Sequence, residues 1–207
     1  MIIDTAFLIT AFVTMFVVID PIGLAPLFVA LTQGVPERQR RSIALRACGM
    51  GMAILVAFAL FGEAVLGFVG ISMPAFRVAG GILLFLTALD MLFERRTKRR
   101  EDQSDDDHND PSVFPLAIPL ISGPGAIASV ILLTGQKPGV EGVALVLAIT
   151  ALVLGVVLVL FLASGLLERA LGKTGITVVT RLLGMLLAAL SVQFVLDGLS
   201  NFAPFTG

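Results

Sequence analysis

Residues 14–32 form an apolar run interrupted near its middle by Asp20, Pro21 and Gly23. Proline removes a backbone donor and clashes with the preceding turn, while aspartate is a strong N-cap. The cluster therefore stops one helix and starts another, with Asp20 as the cap and Pro21 at the first helical position. In hydrocarbon such a break has two readings. It lines a protein cavity, where freed backbone groups and a carboxylate are useful, or it is a proline kink whose Asp caps only its own half-helix. Composition sets the environment: 57% of residues are hydrophobic and 14% charged, with a mean hydropathy of +1.01. That is too apolar for a soluble domain, and backbone satisfaction in lipid then demands helices.

The expected fold is an all-α membrane protein of six transmembrane helices. Segment 1 runs from Ile2 or Phe7 to Leu31, followed by a polar turn from Gln33 to Arg41. Segment 2 covers Ile43 to Leu60, with Glu63 beyond it at an interface. Segment 3 runs from Phe76 to Phe93, segment 4 from Val113 to Thr134, segment 5 from Val143 to Leu167 and segment 6 from Val178 to Leu199. Segment 4 carries Pro115, Pro119, Ser122, Gly123, Pro124 and Gly125 and is predicted to be a second broken helix. Tyr and Trp are absent, so interfacial anchoring falls to Phe, Lys and Arg. Cys48 has no second cysteine to pair with and reads as a small packing residue. The start, Met-Ile-Ile-Asp, lacks a basic region and a cleavage site, so an uncleaved first span is expected.

Residues 94–112 divide the chain. Arg95 to Arg100 are mostly basic, and Asp105, Asp106, Asp107 and Asp110 surround the only histidine, His108. Low hydrophobicity and opposed charge blocks predict a mobile cytoplasmic linker, whose basic half faces anionic lipid headgroups or acts as a stop. Such an acidic run lacks the preorganised geometry that a metal site needs, so neither metal nor other cofactor is expected.

The parts on either side, 1–93 and 113–207, repeat each other. Pro21 matches Pro124 at an offset of 103; Glu63, Leu66, Gly67, Gly70 and Ile71 match Glu168, Leu171, Gly172, Gly175 and Ile176 at 105; Arg77 and Gly80 match Arg181 and Gly184 at 104. Three spans per copy is an odd number, which makes the copies two inverted three-helix repeats with the broken helices 1 and 4 meeting near the midplane. With the N-terminus outside, nearly all Lys and Arg fall on one face and only Arg77 and Lys137 on the other. Both termini are thus expected outside a plasma (inner) membrane and the linker in the cytoplasm.

Each break offers the N-terminus of a half-helix, whose free N–H groups and positive dipole end attract anions. The first carries Asp20 where the second carries Gly123, so the pair supplies one negative point and one amide nest, as a zwitterion requires. The expected substrate contacts are Asp20, Pro21, Ile22 and Gly23 toward the ammonium, and Ser122, Gly123, Pro124, Gly125 and Ala126 toward the carboxylate. The rival role for Asp20 is to carry a coupling proton. Thr87 and Ser191 match under the repeat and either line the same cavity or bond back to their own helices. Arg77 and Arg181 read as snorkelling residues, and Asp90 and Asp197 do not register as a pair.

These residues resemble a known family. Asp20-Pro21-Ile22-Gly23 with Pro26 and Phe28, Gly70-Ile71-Ser72 with Pro74, Arg77 and Gly80-Gly81, Pro115-Leu116 with Pro119 and Gly123-Pro124-Gly125, and Arg181, Gly184, Val192-Gln193-Phe194 and Gly198 are similar to the MarC-related, or small neutral amino acid transporter (NAAT), family of integral membrane proteins. The resemblance implies six transmembrane helices and, in the transporter branch, ion-coupled uptake of glycine, alanine and similar solutes. Some relatives have Asn at the first position of the motif; the Asp20 version looks like the transporter branch.

The expected function is a secondary transporter of small neutral amino acids with a coupling ion, with export of another small metabolite as the alternative. A membrane enzyme would need a nucleophile with its base, or a metal motif, and the sequence offers neither. No nucleotide-binding loop and no basic face with interleaved aromatics is present, which argues against an ATPase and against nucleic acid as a partner. Small-residue faces suit either the bundle interior or a homo-oligomer.

Overall fold

The structure, a computed structural model, describes residues 5–93 and 110–202, apart from the side chains of 165–169, 171 and 173. Most of the expected linker, with His108, Asp105 to Asp107 and Arg95 to Arg100, lies outside the described residues, as do the side chains of Glu168 and Leu171. Among the described residues all regular structure is helical: α1 (Thr5–Ile19), α2 (Pro21–Leu31), α3 (Glu37–Val69), α4 (Met73–Leu92), α5 (Ser112–Ile121), α6 (Pro124–Gln136), α7 (Val140–Leu162) and α8 (Ser164–Ser200). Five of the resulting spans are long and apolar enough to cross a membrane, and six when α5 and α6 are taken as one bent span.

The ends of these helices follow local chemistry. α1 and α2 together make an apolar span of 27 residues, Thr5–Leu31. α3 starts at Glu37, directly after Pro36, so the expected polar turn shortens to residues 32–36 and Arg38, Arg40 and Arg41 are helical. The correction has a simple cause: Pro36 suits the position before a first turn, Glu37 favours the positive dipole end, and arginine is a good helix former. At 33 residues α3 is about 50 Å long, well beyond the ~30 Å hydrocarbon core. It runs past the predicted Leu60 to Val69 and stops at Gly70, whose φ of 81° lets the Gly70 and Ile71 N–H groups turn back to the carbonyls of Gly67 and Leu66. Ser72 then caps α4, accepting from the Ala75 N–H, and the helix begins at Met73 rather than Phe76. The fifth segment ends at Leu162, short of Leu167, and α8 begins at Ser164, well before Val178, with an interruption at Gly172.

α2 packs against α7 and α8, and α6 against α3 and α4; α1 lies on α6 and α7, and α5 on α3. The most extensive contact joins α4 and α8, which run antiparallel. Val78 meets Gly198, Gly81 meets Ser191 and Val195, and Ala88 and Met91 meet Gly184. A Cβ on Gly81 would stand 2.8 Å from the Ser191 carbonyl oxygen, so backbone proximity fixes glycine there. Buried Cys48 fits the expected packing role. Glu63 is exposed, and so are Leu60, Phe61, Val65 and Phe68 on α3, Leu83 and Leu86 on α4, and Leu182 and Leu186 on α8. So broad an apolar exterior is the surface of a protein solvated by lipid.

Candidate functional site

Two interruptions stand out. At the first, Asp20 adopts a left-handed conformation (φ 56°, ψ 66°), the only positive φ on a non-glycine among the described residues. Its N–H still closes α1 on the Phe16 carbonyl at 2.9 Å, and its carbonyl receives the Leu24 N–H at 3.0 Å, which opens α2. The side chain folds over that new terminus, where Oδ1 accepts the Gly23 N–H at 3.1 Å. Asp20 is 0% exposed. Gly23 is required for this closure, because a Cβ there would run into the Asp20 carboxylate. Pro21 is buried beneath the cap, and Ile22 is half-buried.

The second interruption is built differently. Phe114 and Ile118, each before a proline, are forced to extended dihedrals, so α5 is a wide, irregular helix; the Phe114–Pro115 and Ile118–Pro119 bonds are cis. Its start is held from outside the span: the Ser112 N–H and hydroxyl both donate to Asp110 Oδ1, at 3.0 and 2.6 Å. Arg46 reaches the other oxygen of Asp110 at 3.4 Å. The hydrogen bonds from Ser112, and then the Arg46 charge, hold the Asp110 carboxyl below its ordinary range. α6 leaves α5 at 52°.

Gly123 takes the N-cap position of α6 and supplies no side-chain cap, and the first helical bond there runs from the Ile127 N–H to the Gly123 carbonyl at 3.0 Å. The amides of Gly125 and Ala126 therefore belong to the first turn, ahead of that bond. Both residues are buried, while Pro124 is exposed and Gly123 half-buried. Gly123 is fixed by sterics, since a Cβ would strike the Pro119 carbonyl oxygen.

The fold brings these breaks together through Gly125. The position of a Cβ on that residue is 3.2 Å from Val18 Cγ1, two residues before Asp20, and 3.5 Å from Thr87 Oγ1. Of the two hydroxyls expected to line the site, Thr87 is thus beside the second break, with its own hydroxyl donated to the Leu83 carbonyl at 2.9 Å. Ser191 is completely buried on α8, bonds the Ala188 carbonyl at 2.7 Å through its hydroxyl, and has its own carbonyl oxygen against Gly81. Ser122 contributes less than an open nest would require: its N–H and its hydroxyl both turn back to the Ala117 carbonyl, at 3.0 and 2.7 Å.

Sequence reasoning passed over Thr14 and Ser129. Both are 0% exposed, and neither hydroxyl has a hydrogen-bond partner among the described residues. Thr14 stands six residues before Asp20 and Ser129 six after Gly123, a mirrored spacing that is readable in the chain. Among the described residues no group of three or more His, Cys, Asp or Glu could hold a metal. Asp197 accepts from Gln193 at 2.8 Å within α8.

A family model described as MarC family integral membrane protein matches residues 5–203. The chain belongs to the MarC family. Its relatives include the UPF0056 membrane protein MJ1677 of Methanocaldococcus jannaschii, 37% identical over 95% of this chain and 97% of its own length. The UPF0056 membrane protein YvbG of Bacillus subtilis is 35% identical, covering 96% and 97%. The UPF0056 inner membrane protein YhgN of Escherichia coli is 32% identical, covering 93% and 95%. No solved structure matches the chain. Both interruptions, at Asp20 and at Gly123-Pro124, lie inside the MarC match, so the family assignment and the site concern the same residues.

Proposed function

We propose that this MarC protein is a secondary transporter of small neutral amino acids, ion-coupled, working by alternating access around the paired helix breaks. The observation that carries this reading is the meeting of α6's uncapped first turn, at Gly125, with Val18, two residues before Asp20, whose carboxylate is buried. An intramembrane carboxylate and an open helix N-terminus are complementary to an ammonium and a carboxylate on one small solute. Asp20 faces the ammonium, directly or through water, or carries the coupling proton in the same cycle. Membrane enzymes and exporters of other metabolites remain rival classes, and the site's lack of a nucleophile–base pair favours transport over catalysis.

Packing supports the inverted repeat. Exchanging the two copies turns the contacts of α2 with α7 and α8 into those of α6 with α3 and α4, and both sets occur. The Gly184–Met91 contact becomes, within one residue, the Gly81–Val195 contact. An orientation with both termini outside and the linker in the cytoplasm of the plasma membrane agrees with the distribution of Lys and Arg.

The test is uptake of radiolabelled glycine and alanine into proteoliposomes, with and without an imposed proton or sodium gradient. Saturable, gradient-stimulated uptake is expected. Folded protein that takes up neither under either gradient would sink the amino acid reading.

A further inference from the structure

Helical hydroxyls in a bilayer normally donate to a carbonyl one turn back, which removes an unpaired group from hydrocarbon. Thr32, Thr87, Thr134, Thr150 and Ser191 all do so here. Thr14 and Ser129 do not, although both are 0% exposed and an unsatisfied hydroxyl at such depth is unfavourable. A ligand that returned the lost hydrogen bonds would offset that cost.

The register of the helices says what those hydroxyls face. Gly80 on α4 meets Leu132 and Ala128, while Leu84 and Thr87 farther along α4 meet Gly125, so α6 runs antiparallel to α4. The short turn at 70–72 makes α4 antiparallel to α3, and the turn at 32–36 makes the α1–α2 span antiparallel to α3. It follows that α1 and α6 are antiparallel, with Val18 opposite Gly125. One turn back along α1 from Val18 is Thr14, and one turn forward along α6 from Gly125 is Ser129. The two hydroxyl residues therefore share one seam. A helical side chain leans toward its own N-terminus, which carries the Ser129 hydroxyl toward the Gly125–Ala126 turn, while the Thr14 hydroxyl on the antiparallel helix leans the other way and stands beyond Ser129.

We infer that Ser129 and Thr14, rather than Ser122, supply the hydroxyl contacts to a substrate carboxylate seated at the first turn of α6. Ser129 donates from above the bare Gly125 and Ala126 amides, and Thr14 donates across the seam from α1, on the side of Ser129 away from those amides. Ser122 cannot join them without giving up the Ala117 carbonyl. The inference rests on the transporter reading, and it assigns contacts on both broken spans to one anionic group.

The experiment is equilibrium binding of radiolabelled glycine to purified native protein and to Ser129→Ala, Thr14→Val and Ser122→Ala, with propionate as a competitor that keeps the carboxylate and lacks the ammonium. Loss of a hydrogen bond to a charged group is expected to weaken glycine binding about 10-fold or more in Ser129→Ala and Thr14→Val, and propionate competition should weaken with it. Ser129→Thr and Thr14→Ser, which keep a hydroxyl, should bind close to native, separating contact loss from misfolding. Ser122→Ala should bind as native does. Native binding that survives both hydroxyl deletions overturns the inference and leaves the transporter reading standing. Folded native protein that binds neither glycine nor alanine overturns both.

Discussion

The two helix breaks solve one problem in opposite ways. At the first, the acid stands at the break itself: Asp20 caps α2, lies fully buried and is held by a glycine that leaves no room for a side chain. At the second, the acid stands at the entrance of the span, where Asp110 caps α5 through Ser112, and the break is left to Gly123 without a cap. One break is closed electrostatically and the other sterically. What this teaches is that two proline-initiated half-helices can share a start while their acids stand in different places, at the break in one span and at the entrance of the other.

The sharpest way to break that contrast is Asp20→Asn. Asparagine tolerates the left-handed backbone and keeps an oxygen for the Gly23 N–H, so the fold is expected to survive. If the charge faces an ammonium, glycine binding falls by about 10- to 100-fold, the loss expected for a hydrogen bond to a charged group. If Asp20 instead carries a proton, binding and exchange remain while proton-driven accumulation disappears. Native binding and native accumulation in this variant would remove Asp20 from the mechanism altogether.

Much of this was legible in the chain. Asp20-Pro21 announced a cap and a first helical residue because both act on the backbone locally, within one turn. The prolines at 115, 119 and 124 announced the second break for the same reason. The ends of α3 reach past the expected ones because charged or glycine-containing turns that leave the hydrocarbon remain helical when nothing local stops them, whereas the early start of α8 at Ser164 is followed by its interruption at Gly172. Illegible was whatever depends on which helix lies opposite. The Ser191 hydroxyl follows the second of its two expected readings and bonds back to its own helix, the Ser122 hydroxyl is occupied by the Ala117 carbonyl, and Thr14 and Ser129 gain meaning from the contact of Val18 with Gly125.

Two glycine substitutions sharpen the comparison further. Gly23→Ala places a methyl group where the Asp20 carboxylate lies; a side chain can swing away, so the protein should fold while the cap is displaced. Uptake is expected to fall about 10-fold with a stability loss near the ~1 kcal/mol typical of a lost cap. Gly123→Ala meets the Pro119 carbonyl, and backbone cannot swing. Its main effect should be on folding, about 1–3 kcal/mol as for other overpacked sites, read as a lower midpoint of thermal unfolding in detergent. Equal stability losses in the two variants would show that the breaks do not differ in this way.

The smallest effect belongs to the displaced acid. Asp110 is half-exposed, with 42% of its side chain open to solvent, so its bonds to Ser112 and its ion pair with Arg46 are screened by water and contribute only modestly to stability. The sign is nonetheless fixed. Because the folded state holds this carboxyl below its ordinary range, the stabilisation is complete above the unfolded value of about 4 and is lost as the pH falls through the lowered folded value. Asp110→Asn keeps a possible cap for α5 and removes the charge, and should flatten the acid limb of the thermal stability curve below about pH 4 while leaving glycine uptake at neutral pH unchanged. A loss of uptake comparable to that of Asp20→Asn would mean that the second acid also belongs to the pathway. The charge would then be shared between the entrance of one span and the middle of the other, and the separation of roles drawn from the two breaks would fail.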